Sequence, residues 1–284
     1  MGSKNVDEVA HRVRQFYEAC SFPGYEEVET PFDLADKAGR GIYMQLLDRQ
    51  VPWSARVLDA GCGTGQLVNF LSLMERRVVG IDLSYNSLRK GQAFSERFQL
   101  GSARFVQMDL FRLAFREQSF DYVFSNGVLH HTADAELGFA QLVRLVKRGG
   151  HIVVGLYNRY GRLLLNARKR IFRLTNRRFL WLDFVIRRMT FGDEKKRIWF
   201  MDQYCHPHEK TFSVGDVLRW FKDNGVEYVN SLPKINLGER LTPAERLFEQ
   251  HAPGRGIDHA LAQAGWILTQ GREGGFFILI GRRT

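Results

Sequence analysis

From Arg56 onward, short apolar runs alternate with stretches whose apolar residues recur at helical spacing, and this alternation restricts the fold more than any other feature of the chain. Arg56 to Asp59, Val78 to Asp82, Ala103 to Met108, Tyr122 to Ser125 and His151 to Leu156 read as strands. Such an order implies parallel strands with helical crossovers, so the fold class is α/β with a doubly wound, mostly parallel sheet. Further on, Ser213 is placed to cap a helix whose Val214, Val217, Leu218 and Phe221 face inward and whose Gly225 ends it. Two more strands are expected at Val226 to Leu232 and Phe276 to Gly281, with one or two helices between Pro233 and Gly275. Ahead of the alternating region, Val6, Val9, Val13, Phe16 and Tyr17 predict an amphipathic helix to Cys20, opened by an Asn5-x-x-Glu8 capping box.

With 44% hydrophobic and 25% charged residues, the chain is neither disordered nor fibrous. Its three cysteines, Cys20, Cys62 and Cys205, are odd in number and far apart, so no disulfide framework or Cys-x-x-Cys metal site can be drawn. A reducing cytoplasm is the expected setting. No apolar run reaches the roughly 18 residues of a membrane span, and the N-terminus lacks a signal-peptide pattern. The net charge of +10 is local: residues 159–197 hold thirteen Lys and Arg against three acids, and the remaining 28 bases are balanced by 28 acids.

Where the first strand ends, Asp59-Ala-Gly61-Cys-Gly63-Thr-Gly65 supplies glycines that let backbone turn tightly and approach a ligand at the start of the next helix. The second strand ends at Asp82, whose carboxylate can accept both hydroxyls of a ribose, and the third at Asp109, within reach of an adenine amine. Three acids at successive strand ends converge on the crevice where open α/β sheets bind ligands.

These segments, with Val79-Gly-Ile-Asp82-Leu-Ser84, Met108-Asp109-Leu110, Phe120-Asp-Tyr-Val-Phe-Ser125-Asn126-Gly-Val-Leu-His130-His131 and Leu145-Val-Lys-Arg-Gly149-Gly150, resemble the class I S-adenosylmethionine-dependent methyltransferases of type 11. The resemblance covers roughly residues 50 to 157 and implies a Rossmann-like methyltransferase core at 50–157 and 204–284. Residues 1–49 would then be an N-terminal helical cap and 158–203 a basic helical insertion in the same domain. By the same resemblance the cofactor is S-adenosyl-L-methionine. Asp59, Gly61 and Gly63 would hold its methionine end, Asp82 its ribose, Asp109 with Leu110 its adenine, and Leu83 and Asn126 would complete the site.

Methyl transfer asks the protein mainly to align acceptor and methyl, and for hydroxyl acceptors to remove a proton. His130 and His131 follow the fourth strand on the acceptor side and are candidates for that base, against the alternative that one of them simply opens the next helix. Tyr25, Tyr157, Tyr204, His206 and His208 are candidates for the acceptor pocket. The His206-Pro-His208 spacing alone does not make a metal site, and none is expected.

The expected reaction is methyl transfer to a small-molecule or lipid-like acceptor, at oxygen before nitrogen or carbon. Two alternatives stand beside it. One is a tRNA methyltransferase, because Val128-Leu-His-His131 is similar to the Val-Ile-His-His run of enzymes forming methyl esters on wobble uridine side chains; the other is a non-catalytic cofactor-sensing module. For residues 159–197 three readings compete: a lid or dimer element with a solvated basic face, contact with an anionic membrane surface by a peripherally bound protein, and contact with RNA. Leu163, Leu164, Ala167, Ile171 and Leu174 form one stripe there, opposite Arg162, Asn166, Lys169, Arg170, Arg173 and Arg177, and Phe179 to Ile186 offers a second apolar segment. The oligomeric state stays open.

Overall fold

The computed structural model describes residues 3–19, 24–25, 28–175, 200–201, 203–269 and 275–284, with side chains from residue 6 onward. Seven strands form one sheet: β1 (Arg56–Ala60), β2 (Arg77–Asp82), β3 (Ala103–Gln107), β4 (Phe120–Asn126), β5 (Val146–Tyr157), β6 (Val226–Leu232) and β7 (Phe276–Arg283). Their order is β3-β2-β1-β4-β5-β7-β6, with β1 to β5 mutually parallel and β7 antiparallel to both of its neighbours. The helices are α1 (Ser3–Ala19), α2 (Pro31–Gly39), α3 (Ile42–Gln50), α4 (Gln66–Ser72), α5 (Tyr85–Arg97), α6 (Ala135–Leu145), α7 (Leu163–Leu174), α8 (Val214–Asp223) and α9 (Gly256–Thr269).

All seven expected strands are present. β5 starts five residues before His151, because Val146 pairs with Phe120 across a bulge while the polar Lys147-Arg-Gly-Gly150 hides the strand from hydropathy. α1 begins at Ser3, so Asn5 lies inside the helix and is not its cap. Only one helix, α9, lies between Pro233 and Gly275 among the described residues. α8 matches its sequence signature: Ser213 and Asp216 form a reciprocal capping box and Gly225 takes φ +64°. Trp220 is buried there, whereas Leu218 is only partly so.

The sheet separates two apolar layers. On one face Phe139 and Leu142 of α6 meet Val217 and Phe221 of α8, the two phenyl rings stacked at 5.5 Å. On the other, Leu46 and Leu47 of α3 join Val68 and Leu71 of α4 and Leu88 of α5. Each such side chain contributes about 1.5–3 kcal/mol on leaving water. The N-terminal helices therefore share the core of the sheet. Arg76, fully buried, ties them to it by donating to the Val51 carbonyl at 2.9 Å and the Asp48 carboxylate at 2.9 Å.

In α7 the apolar stripe faces outward, while of the basic residues Arg162 and Lys169 turn inward and Arg170 and Arg173 stay exposed. Asn158 Oδ1 accepts from the amides of Tyr160 and Gly161, turning the chain so that Arg162 lies over the Tyr157 ring at 3.5 Å and donates to Gln203 and Glu209. With Arg162 fixed inward, helical spacing carries Leu165, Lys169 and Phe172 inward too. Leu163, Leu164, Ala167, Ile171 and Leu174 consequently face solvent. Arg177 and the segment from Phe179 to Ile186 lie outside the described residues.

Candidate functional site

At the C-terminal ends of β1, β2, β3 and β4, the chain leaves the sheet in four loops that line a cavity of about 600 Å³. The first loop turns at Gly61 (φ +80°) and Gly65 (φ +71°), conformations open to glycine. Any side chain would also collide there: a Cβ on Gly61 would meet Val128 at 2.3 Å, and one on Gly65 would meet Phe105 at 2.2 Å. The loop is pinned by Gly61 and Cys62 amides donating to the Ile81 carbonyl, at 2.8 and 2.9 Å. Gly63 donates to Asp82 Oδ2 at 2.9 Å, and Ser84 to Asp82 Oδ1 at 2.8 Å, so the Asp82 carboxylate is held rigidly at the edge of the cavity. Asp109 is fixed likewise, accepting from the Phe111 amide at 2.9 Å.

Asp59, Gly61, Gly63, Asp82, Leu83, Asp109, Leu110 and Asn126 all line this one cavity, although they come from four stretches of chain. Asp59 is buried, and the influences on its carboxyl are burial and Asp82 rather than a hydrogen bond. Burial, with Asp82 nearby as a second negative charge, pushes its carboxyl up to about 7. Asp82 is also raised, chiefly by burial, against which the amides of Ser84, Gly63 and Leu83 pull it down. A buried carboxylate without a cation is costly, so Asp59 is a ready place for a ligand's ammonium group. The donor set thus fits an adenosyl amino acid: a lone acid for an ammonium, a rigid acid for a diol, and a third acid beside Leu83 and Leu110 for an amino-substituted ring.

The rest of the cavity wall includes Val128, His131, Thr132, Ala133, Tyr157, Gln203 and Phe276. His131 Nδ1 lies 2.9 Å from the His208 carbonyl, which can only accept, so neutral His131 carries its proton on Nδ1 and leaves Nε2 as its basic nitrogen. Burial drives its pKa down to about 3. His130 is fully buried behind it, packed on Tyr157 at 4.1 Å between ring centroids, with neither ring nitrogen hydrogen-bonded, and burial holds it neutral.

Of the residues expected to shape the acceptor pocket, Tyr157 lines the cavity. His206 stacks on the outer side of His131 at 3.6 Å, and His208 donates from Nε2 to the Thr132 carbonyl at 3.0 Å, so both support the wall rather than form it. Tyr204 packs against Phe172 and Phe200, and Tyr25 accepts from Asn69 at 2.8 Å and packs at a tilt on Phe94. Gln203 and Phe276 escaped the sequence reading because one ends the basic insertion and the other opens a core strand. So did the inner face of α1, where Val6, Ala10, Val13, Arg14 and Tyr17 close the cavity. Its amphipathic spacing was visible in sequence; its target was not. Among the described residues no cluster of His, Cys, Asp and Glu could hold a metal ion.

Residues 58–154 match the family described as a methyltransferase domain. An uncharacterised methyltransferase of Mycobacterium tuberculosis is 34% identical over 113 residues, 39% of this chain and 56% of that protein. A malonyl-[acyl-carrier protein] O-methyltransferase of Legionella pneumophila is 34% identical over 100 residues, 34% of each chain. The matches span about half the length of the first curated relatives. Among solved structures, magnesium protoporphyrin IX methyltransferase of Synechocystis with bound S-adenosylmethionine superposes with a TM-score of 0.54 at 14% identity, over 97% of both chains.

Proposed function

We propose that the chain, whose residues 58–154 match a methyltransferase domain, transfers the methyl group of S-adenosylmethionine to an oxygen of a small-molecule or lipid-like acceptor. The observation that carries this reading is that one cavity is lined both by the three acids suited to the cofactor and by His131, whose Nδ1 faces the His208 carbonyl. Asp59 with Asn126 and the Gly61–Gly63 turn holds the methionine end, Asp82 the ribose, and Asp109, Leu83 and Leu110 the adenine. When bound, S-adenosylmethionine would supply a methyl group already activated on a sulfonium, its sulfur keeping the electron pair of the broken bond, so the protein has no leaving group to create.

What remains for the chain is alignment and the fate of one proton. Tyr157, Gln203, Phe276 and the α1 face exclude water and set the acceptor over the cofactor. His131 Nε2 would take the proton of a hydroxyl acceptor. A base held near pKa 3 takes a proton from an unactivated alcohol only at high cost, which favours an acidic acceptor such as a carboxylic acid or enol. The apolar residues around the site and the O-methyltransferase relative support an apolar body carrying such a group.

The test is incubation with methyl-labelled cofactor and fractionated cell extract. Label should enter an organic-extractable, alkali-labile product, and His131→Gln should slow its appearance while leaving affinity for S-adenosylhomocysteine unchanged. Label appearing in RNA, or cofactor binding with no transfer to any fraction, would replace this reading.

A further inference from the structure

We propose that the outward face of α7 is a docking surface for an anionic lipid bilayer. Leu163, Leu164, Ala167, Ile171 and Leu174 lie together on one side of the helix and are all exposed, Leu174 at 86% and the adjacent leucines near half. Arg170 and Arg173, also exposed, run along one border of this stripe. Arg159, whose side chain is 57% exposed, precedes the helix beside the exposed ring of Tyr160.

An apolar stripe bordered by arginines fits the boundary between acyl chains and headgroups, where leucines gain by leaving water and guanidinium groups meet phosphates. An RNA surface would use the charge and leave the leucines in water, so the outward-facing leucines of α7 favour lipid over nucleic acid. The exposed Arg170 and Arg173 complement an anionic leaflet. With 12 residues, α7 is about 18 Å long and cannot span a bilayer core of about 30 Å, so it lies in the interface plane. No helix among the described residues is long and apolar enough to cross a membrane. The inner face of the same helix joins the acceptor wall, since Arg162 donates to Gln203 and stacks on Tyr157. Docking would thus bring the acceptor side of the cavity near the lipid. The surface itself stands whether or not the acceptor is a lipid.

The experiment is co-sedimentation of the full chain with phosphatidylcholine vesicles, with and without phosphatidylglycerol. Wild type should pellet with the anionic vesicles and not with phosphatidylcholine alone, and added salt should release it. Arg170→Gln with Arg173→Gln should weaken binding about 25-fold, at about 5-fold for each basic residue at the surface. Leu164→Glu with Ile171→Glu should weaken it at least as much, because two apolar anchors become anions. Both variants should bind S-adenosylhomocysteine like wild type, and if the glutamate variant fails to fold, the arginine variant decides. Wild type that ignores anionic vesicles, or variants that pellet as well as wild type, would overturn the proposal. So would RNA binding lost on removing the arginines but not the leucines, or a dimer that the glutamate variant splits while vesicles are ignored.

Discussion

Asp59 carries the clearest conflict between solvation and chemistry in the molecule. Its carboxyl is raised to about 7 because burial opposes charge and Asp82 repels it. A cationic amino group arriving beside it reverses that balance, so binding must expel a proton whenever the pH is below about 7. Affinity for S-adenosylhomocysteine should therefore rise with pH, by up to tenfold per unit, between about pH 5 and 7, and flatten above. Calorimetry in buffers of differing ionisation heat should record the released proton, and Asp59→Asn should remove both the slope and the release. His131 shifts the opposite way. An unfolded histidine titrates near 6.5 and this one near 3, so its neutral burial stabilises the fold above about pH 6.5, and that stability is lost as pH falls toward 3. As a base, however, it stays unprotonated across that range. If it accepts the acceptor's proton, the rate should show no acid limb near pH 6.5, and His131→Gln should cost about 10²- to 10⁴-fold in turnover. A limb at 6.5 that survives in His131→Gln would assign the titration elsewhere.

At the scale of elements, the sheet was readable in sequence because strand, glycine loop and acidic strand end each leave a local signature. Asp59, Asp82 and Asp109 could be placed at the cavity from the order of strands alone. The orientation of α7 was not readable, because the stripe is symmetric as a pattern and the deciding contacts come from far along the chain. Arg162 points inward because Gln203 and Glu209 are there to receive it. His206 and His208 escaped placement for the same reason, since only the fold sets them behind His131 and Thr132. Long-range polar contacts can be tested where one of them joins elements. Arg76 has no exposed surface and binds the end of α3 to the strand it precedes, while Asp48 keeps a third of its side chain in water. Replacing Arg76 with Met leaves the Val51 and Asp48 carbonyls unpaired, and urea unfolding should show a loss of about 2–4 kcal/mol at unchanged cofactor stoichiometry. A loss below about 1 kcal/mol would mean that α3 is held by Leu46 and Leu47 without the polar clasp.

Taken whole, the molecule has a cavity with three rigid walls and one weaker one. The walls from β1, β2 and β4 belong to the central sheet, whose strands are paired on both sides. α1 forms no part of that sheet, and its inner face, with Val6, Ala10, Val13 and Tyr17, looks into the cavity. Among the described residues, polar contacts through Glu18 and Asp7 and the packing of Phe16 and Tyr17 on His206 hold it. Glu18 accepts from the first-turn amides of α5 at Tyr85 (2.8 Å) and Asn86 (3.1 Å), beside Asp82, and Asp7 pairs with Arg112 at 2.8 Å. The Asp7–Arg112 pair is exposed on both sides and contributes little, whereas a carboxylate on helix N-terminal amides contributes about 0.5–2 kcal/mol. A helix outside the sheet, fastened by Glu18 and by the packing of Phe16 and Tyr17 on His206, should open at lower free energy than the paired strands. A ligand filling the cavity gives the face something to pack on. Amide exchange should therefore slow across residues 6–18 on adding S-adenosylhomocysteine, by more than the uniform slowing that binding gives the sheet. That uniform part is about 2.7 kcal/mol at a ligand concentration of 100 times Kd. Glu18→Ala should raise exchange in α1 of the free protein and leave the sheet unchanged, while ligand still restores part of the protection. Equal protection of α1 and β4 in the free protein would show that α1 is as firmly built as the core, and that cofactor and acceptor must enter by another wall.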